Sequence, residues 1–317
     1  MTPADVLEAE RVEDLAEAVE PLAIVAIGFA EHGRPALLAT AKDSSSIPFG
    51  RTGGPSEPSF PRVTTERPWP ATANLMGDAV DLGDLSVAFP FVQPLPNGEL
   101  LIVGGRCRPG DENASVVAAN GARRLSFCAG DGIESVQTTR SGDIWVSYFD
   151  EGVFGNFGWG GGRGPAPIGS PGLVRFVTDG SISYRFSPPS GHDSIADCYA
   201  LNVGEDHVWA YYYTDFDLVR IDHAGSTRAW STDIAGARAV AIHGDRVLFF
   251  GGYGDDRNAA QLGRLDRSDV DDLRTLAICD SAGRRIAPDL AVGRGRCLHL
   301  LAGSTWWRVD LATLPDR

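Results

Sequence analysis

The sequence predicts an all-β protein, a β-propeller of six blades with four antiparallel strands each, and three observations carry that reading. The first is a repeat. Leu173-Val174-Arg175-Phe176-Val177 returns as Leu218-Val219-Arg220-Ile221-Asp222, Leu262-Gly263-Arg264-Leu265-Asp266 and Trp306-Trp307-Arg308-Val309-Asp310, and the four arginines stand 45, 44 and 44 residues apart. The second is a Gly/Asx turn that feeds a β-branched and aromatic run, a hairpin signal. It occurs at Asn97-Gly98 before Leu100 to Val103, at Ser141-Gly142 before Ile144 to Ser147, at Gly204-Glu205-Asp206 before Val208 to Ala210, and at Gly244-Asp245 before Val247 to Phe250. The third is the pattern within these runs. They alternate, or are wholly apolar over a few residues, as buried strands are, and lack the 3.6-residue period of helical repeats. A period near 44 built from short strands is the mark of a propeller blade. Seven blades is the alternative count.

Taken in order, Met1 to Glu20 is acidic and Ala-rich, and Ala4 to Val19 reads as a short amphipathic helix outside the ring. The propeller domain is expected over 21–317. Ala23 to Phe29, a turn at His32-Gly33, and Pro35 to Thr40 form one hairpin of a degraded first unit. Ser44 to Pro70 is rich in Pro, Ser, Gly and Thr and reads as a long loop, within an insertion at 42–80. Five clearer units follow over about 85 to 311. In the third, Glu134 to Thr139 is strand A, Asp143 to Tyr148 strand B, Leu173 to Val177 strand C, and Ser181 to Phe186 strand D after an Asp179-Gly180 turn. The spacing from Leu101 to Trp145 is 44 residues, but from Trp145 to Trp209 it is 64. The extra length is a Gly-rich insertion at 150–172, between strands B and C. An open ring leaves sheet edges exposed, so the N-terminal segment is expected to supply the strand the C-terminus lacks.

Composition narrows the function. The chain has 317 residues, 43% of them hydrophobic, which excludes a disulfide miniprotein and a disordered chain. Lys+Arg 28 against Asp+Glu 42 gives a formal charge of −14. That sign argues against nucleic-acid and anionic-membrane partners, whose phosphates demand an excess of base. Five cysteines, at 107, 128, 198, 279 and 297, include no CxxC pair, and their number is odd, so neither a disulfide framework nor a zinc ribbon is expected. No basic n-region with an apolar stretch opens the chain, and no run reaches the roughly 20 apolar residues of a membrane span. The expectation is a soluble cytoplasmic protein.

Blade geometry gathers candidate residues. The loop leading into strand A and the loop leaving strand B open on the same face. That face collects Arg106-Cys107-Arg108, Asp131 to Glu134, Tyr148 to Gly152, His192-Asp193, Asp197 to Tyr199, Tyr211 to Phe216, Arg238, Tyr253 to Arg257 and Asp289. The opposite face holds ordinary tight-turn residues such as Asn97-Gly98 and Ser141-Gly142. Sites form on loops carried by a rigid scaffold, which favours the crowded face.

Glu134, Asp197 and Asp289 are the candidate catalytic residues. Converging carboxylates hold a hard cation such as calcium or magnesium, here with Glu134 and Asp197 as ligands. They also serve as an acid–base pair when burial separates their pKa values. The plainer reading is that they accept backbone N–H bonds at the starts of strands. Tyr148, Asp150, His192, Tyr211, Tyr213, Asp215, Arg238, Tyr253 and Asp255 are the candidate ligand-binding residues. Alternation sends Tyr211 and Tyr213 to one side of their strand and Tyr212 to the other. The triplet therefore divides between packing and a stacking platform for a sugar or base. Arg175, Arg220, Arg264 and Arg308 share one place in the repeat, which points to architecture. The insertion lacks GxGxxG and Gly-Lys-Ser/Thr and is no nucleotide loop. It reads either as a mobile lid or as a plain surface loop, with Asn156, Phe157 and Trp159 as contact groups. Cys198 reads as a buried inert thiol, and no GxSxG elbow occurs.

Asp131-Gly132-Ile133-Glu134 followed by Gly142-Asp143-Ile144-Trp145-Val146 resembles the blade opening of six-bladed propellers of the NHL and regucalcin/gluconolactonase type, and the resemblance spans roughly residues 85 to 311. It is specific for the fold. For the gluconolactonase-like enzymes it implies a divalent metal on the channel axis, bound by Glu, Asn and Asp. Glu134 matches the Glu by type and Asp197 or Asp289 the Asp, while no Asn stands at a corresponding strand start. The expected function is binding of a small polar ligand at the top of the channel, with hydrolase, lyase or isomerase chemistry on it. The alternative is a protein- or peptide-binding scaffold without catalysis, since propellers host both.

Overall fold

The computed structural model describes residues 6–31, 33–49, 62–75, 77–162 and 164–315. Its strands form six sheets of four antiparallel strands, one of them extended by a fifth, parallel strand, and these are the blades of a six-bladed β-propeller, as the period near 44 predicts. Two short strands come first, β1 (Val6–Glu8) and β2 (Glu10–Asp14). Blade one is β3 (Ala23–Phe29), β4 (Pro35–Thr40), β5 (Thr64–Leu75) and β6 (Asp78–Val87). Blade two is β7 (Pro90–Pro94), β8 (Leu100–Gly104), β9 (Ala114–Val117) and β10 (Arg123–Phe127). Blade three is β11 (Ile133–Thr138), β12 (Ile144–Tyr148), β13 (Leu173–Phe176) and β14 (Ile182–Arg185). Blade four is β15 (Asp197–Val203), β16 (Val208–Tyr213), β17 (Asp217–Ile221) and β18 (Thr227–Trp230). Blade five is β19 (Ala239–His243), β20 (Arg246–Phe250), β21 (Ala259–Leu265) and β22 (Val270–Cys279). Blade six is β23 (Leu290–Arg294), β24 (Cys297–Ala302) and β25 (Thr305–Asp310), completed by β2.

The chain divides into two compact units. One comprises residues 16–187 and carries blades one to three; the other comprises residues 188–315 with the N-terminal strands up to Leu15 and carries blades four to six. In the first, one core fills the space between blades one and two around Trp69, Leu38 and Ile102, and another lies between blades two and three around Leu101, Val146 and Tyr148. In the second, Trp209, Tyr211, Val240 and Phe249 pack between blades four and five, and Leu248, Phe250, Leu298 and Leu300 between blades five and six. Such close sheet-to-sheet approach leaves no room for a side chain at Gly293 of β23, where a Cβ would fall 1.7 Å from the Val240 carbonyl oxygen.

Two expectations about the first 80 residues are corrected. From Val6 on, the proposed N-terminal helix is instead two strands, and residues 1–5 lie outside the described residues. The open edges of β22 and β25 decide it. β1 pairs parallel with Ala277 to Cys279, β2 pairs antiparallel with Thr305 to Arg308, and Arg308 Nη2 meets Glu10 Oε2 at 2.7 Å. Pairing an exposed edge outweighs the modest helix propensity of a short Ala/Glu segment. The supposed loop from Ser44 to Pro70 likewise contains the start of β5, with 50–61 outside the described residues. Pro68 and Pro70 disguised it, because proline cannot donate to a ladder. The β5–β6 pairing accommodates them by a shift between Thr64 and Trp69, after which Trp69, Ala71 and Ala73 are buried in alternation. His32 of the predicted first turn also lies outside the described residues.

The recurrent arginines are structural. The Arg175 guanidinium lies over Trp145, 5.6 Å from the ring centroid, and that of Arg220 over Trp209 at 6.0 Å. Arg264 pairs with Asp245 and Arg308 with Glu10.

Candidate functional site

In the unit of blades four to six, the core between blades four and five ends in an aromatic surface. Tyr211 and Phe249 belong to that core, and the Tyr211 hydroxyl donates to the Ile234 carbonyl at 2.6 Å. Phe216, in the β16–β17 turn, continues it outward. It stacks on Tyr211 at 5.7 Å and makes tilted or edge contacts with Tyr199, Tyr213 and Tyr253 at 5.5, 5.6 and 6.3 Å. Phe216 takes φ 58°, a left-handed conformation uncommon outside glycine, so the turn holds this ring in place at some backbone cost. Tyr199 is the extra residue of a β-bulge, since Cys198 pairs with Tyr212 and Ala200 with Tyr211. Bulges re-aim side chains. This one brings the Tyr199 hydroxyl 2.5 Å from that of Tyr253, and burial together with that bond raises the Tyr199 pKa.

Tyr213 and Tyr253 keep 44% and 56% of their surface in solvent, in contrast to Tyr148, Tyr211 and Tyr212, which have none. Gly236 permits this placement. Its φ is 76°, and a Cβ there would stand 2.9–3.0 Å from three atoms of the Tyr253 ring. The surface therefore draws on the loops leaving the second strands of two blades and on the segment leading into β19, as the blade geometry predicts. Its rim carries the exposed Asp215 and Asp255.

Other expected members of this unit have plainer roles. The Asp289 carboxylate accepts the Gly303 N–H at 2.9 Å and shapes a turn. Asp197 opens β15 opposite Tyr213. Arg238 is half-buried, over the Phe250 ring at 5.2 Å, and donates to Asn258 Oδ1 and to the Pro288 carbonyl. Burial, then the charge of Arg257, lowers its pKa. Tyr211 is a core residue. His192 Nδ1 lies 2.7 Å from Asp217 Oδ2, and Ser231 Oγ donates to the other oxygen at 3.4 Å. Asp217 is the ladder partner of Tyr212, so it projects on the side of blade four away from Tyr211 and Tyr213. The Asp217 side chain and Tyr213 thus project on opposite sides of the blade-four sheet.

In the unit of blades one to three, the same kind of junction, between blades two and three, is built around a buried arginine. Arg106 follows β8 and is 5% exposed. Its Nε lies 3.0 Å from Asp131 Oδ1, its Nη2 meets Glu151, and its guanidinium sits 5.3 and 4.7 Å from the ring centroids of Phe149 and Phe157. Asp131 also accepts the Cys107 N–H at 2.9 Å. Burial raises the Asp131 pKa against these favourable partners. For Glu151 burial acts upward as well, but hydrogen bonds from Asn156 and Arg106 prevail and hold it low.

Glu151, Asn156, Phe157 and Trp159 all belong to the Gly-rich insertion, which opens with a short helix α1 (Asp150–Phe154). Trp159 is 8% exposed, and its indole N–H donates to the Cys107 carbonyl at 3.0 Å. The insertion is thus docked on Arg106 and Cys107. Tyr148 is a wholly buried core residue and donates to the Ala129 carbonyl. Asp150 accepts the Glu151 N–H in the first turn of α1. A cavity of about 240 Å³ runs between blades one and two and is lined in part by Arg106, Cys107 and Asn113.

The carboxylates proposed for catalysis and metal binding do not gather within either unit. Glu134 is an exposed bulge residue of β11, in the first unit, whereas Asp197 and Asp289 belong to the second. Among the described residues no group of three or more His, Cys, Asp or Glu side chains is arranged to hold a metal ion. The donor set does not fit the cation that the resemblance implies. Sequence reasoning missed Phe216 as the hub and Arg106–Asp131 as the second centre. Both lay on the face it chose, but nothing in the local pattern marks a turn residue with positive φ or a pairing across 25 residues.

A profile of the YxzG family matches residues 179–307. No curated protein matches the chain. Among solved structures the chain is similar to virginiamycin B lyase from Staphylococcus aureus, at 13% identity over 96% of this chain and 99% of that one, with a TM-score of 0.47. It is similar to a gluconolactonase from Xanthomonas campestris at 10% identity over 96% and 97%, with a TM-score of 0.43. It is also similar to BamB from Moraxella catarrhalis at 9% identity over 93% and 85%, with a TM-score of 0.46.

Proposed function

We propose that the chain is a ligand-binding β-propeller that takes a small polar molecule of the carbohydrate class on the aromatic surface between blades four and five. The observation that carries this reading is the pair of half-exposed tyrosines, Tyr213 and Tyr253, held by Phe216 and Tyr199. A tyrosine ring presents a negative π face to the C–H face of a sugar ring and a hydroxyl to its polar edge. The rim carboxylates Asp215 and Asp255 accept hydroxyl donors and disfavour phosphorylated ligands, in keeping with the acidic chain.

Binding is put before catalysis because the His192–Asp217 dyad, whose aspartate shares the strand side of Tyr212, is turned away from Tyr213. A small ligand is favoured over a protein partner because the exposed large apolar side chains among the described residues are few. They are Phe49, Phe154, Tyr213, Tyr253 and Leu273, and only the two tyrosines share an aromatic cluster. Protein-binding surfaces present larger contiguous apolar patches.

The test is a panel of mono- and oligosaccharides screened by thermal shift and followed by calorimetric titration. A sugar that stabilises the wild type and fails to bind Tyr213→Ala/Tyr253→Ala supports the reading. A panel without binders, or equal binding by the double variant, overturns it.

A further inference from the structure

Cys107 and Cys128 bring their sulfurs within 3.8 Å of each other in the unit of blades one to three. The pair follows β8 and β10, far along the chain from the tyrosine surface. The two thiols are unlike. Cys107 is 1% exposed, beside Asp131 and under the Trp159 indole, whereas Cys128 is only half-buried. Cys128 is the more accessible of the two residues.

We propose that Cys107 and Cys128 form a reversible dithiol–disulfide pair, in which Cys128 is the attacking sulfur and Cys107 the resolving one. Contact between the two sulfurs is the starting geometry that bond formation needs. The electrostatics follow the same division. The sulfur–sulfur contact with Cys107, opposed by burial and aided by the Gly130 N–H, lowers the Cys128 thiol, and the same contact with burial pushes Cys107 up. The thiolate is the attacking form.

The oxidant is a small-molecule disulfide. The Cys128 thiolate attacks one of its sulfurs, the reagent S–S bond breaks, and one thiol leaves after taking a proton. Cys107 loses its proton and attacks the Cys128 sulfur of the mixed disulfide, which expels the second thiol. The protein is oxidised by two electrons and the reagent is reduced to two thiols. The new bond ties the segment after β8 to the segment after β10. It also fixes the Cys107 backbone, whose carbonyl holds Trp159 and whose N–H holds Asp131. Oxidation is therefore expected to change how firmly the insertion is docked.

The experiment incubates the full chain in glutathione buffers of graded oxidised-to-reduced ratio. Free thiols are then alkylated under denaturing conditions and peptides are mapped by mass spectrometry. The expected result is a Cys107–Cys128 linked peptide that appears at one midpoint ratio, with Cys198, Cys279 and Cys297 still alkylated. In Cys107→Ser, glutathione should be trapped on Cys128; in Cys128→Ser, none should be trapped on Cys107. Should either variant fail to fold, the wild-type map alone decides. Alkylation of both residues at every ratio, linkage to another cysteine, or stable glutathione on Cys128 of the wild type overturns the proposal.

Discussion

The two blade junctions use the same pieces of chain to opposite ends. Between blades four and five, the turn after β16 and the short loop after β20 leave Tyr213 and Tyr253 uncovered. Between blades two and three, the corresponding loop after β12 is the long insertion, and it lays Glu151, Phe157 and Trp159 over Arg106 and Cys107. The first junction ends an apolar core in exposed rings. The second ends it in a buried charge that must keep its partners. A junction of this kind is open or closed according to the length of one loop. We propose the open junction as the ligand surface and the closed one as a structural centre.

The contrast is sharpest in stability. Arg106→Met keeps apolar volume but leaves Asp131 buried without its cation, and breaking such a pair costs about 3–5 kcal/mol. Urea denaturation should show that loss, and a cost near zero would place the Arg106 cluster among surface pairs. Acid separates failure of a whole unit from failure of its junction. His299 of β24 is buried, and burial with the charges of Arg308 and Arg294 lowers its pKa to about 3, from 6.5 when unfolded. The unfolded state therefore binds the proton first. This contribution is intact above about pH 6.5 and falls by up to about 1.4 kcal/mol per pH unit down to pH 3. Urea midpoints at pH 7, 5 and 4 should show the decline in the wild type and a flatter profile in His299→Gln.

Smaller effects probe the junctions themselves. Gly236→Ala strains a φ of 76° and drives a methyl into the Tyr253 ring, so about 1 kcal/mol or more of stability should go, together with sugar binding. Unchanged calorimetric affinity in this variant would contradict the role given to Tyr253. Trp159→Phe removes one indole bond to Cys107, a loss of about 1 kcal/mol, and should quicken proteolysis within 150–172. Tyr253→Ala should cost no more than about 1 kcal/mol, the net worth of its hydroxyl bond to Tyr199, yet abolish binding. A variant that loses both alike would make the surface structural.

The architecture was legible because strand repeats are periodic. Arg175, Arg220, Arg264 and Arg308 fall on the third strands of blades three to five and on β25 of blade six, and the four strands of blade three begin and end within a residue of expectation. What escaped was non-local or disguised. The N-terminal strands are specified by open edges some 270 to 300 residues away, and β5 by a burial alternation hidden under two prolines. The site was half legible. Tyr213, Tyr253 and the rim aspartates follow from blade geometry. Which tyrosines emerge depends on a bulge at Tyr199 and a positive φ at Phe216, and neither has a local signature. Tyr148 and Tyr211 illustrate the converse, since their hydroxyls meet backbone carbonyls within the core.

We propose that the open junction, and not the covered one, meets the ligand. Hydroxyl-radical footprinting of the wild type, with and without a sugar that binds in the panel, tests it most directly. Protection of Tyr213 and Tyr253 is expected, with no change at Phe154 and Phe157 of the insertion. Protection confined to the insertion, with both tyrosines as reactive as before, would contradict it.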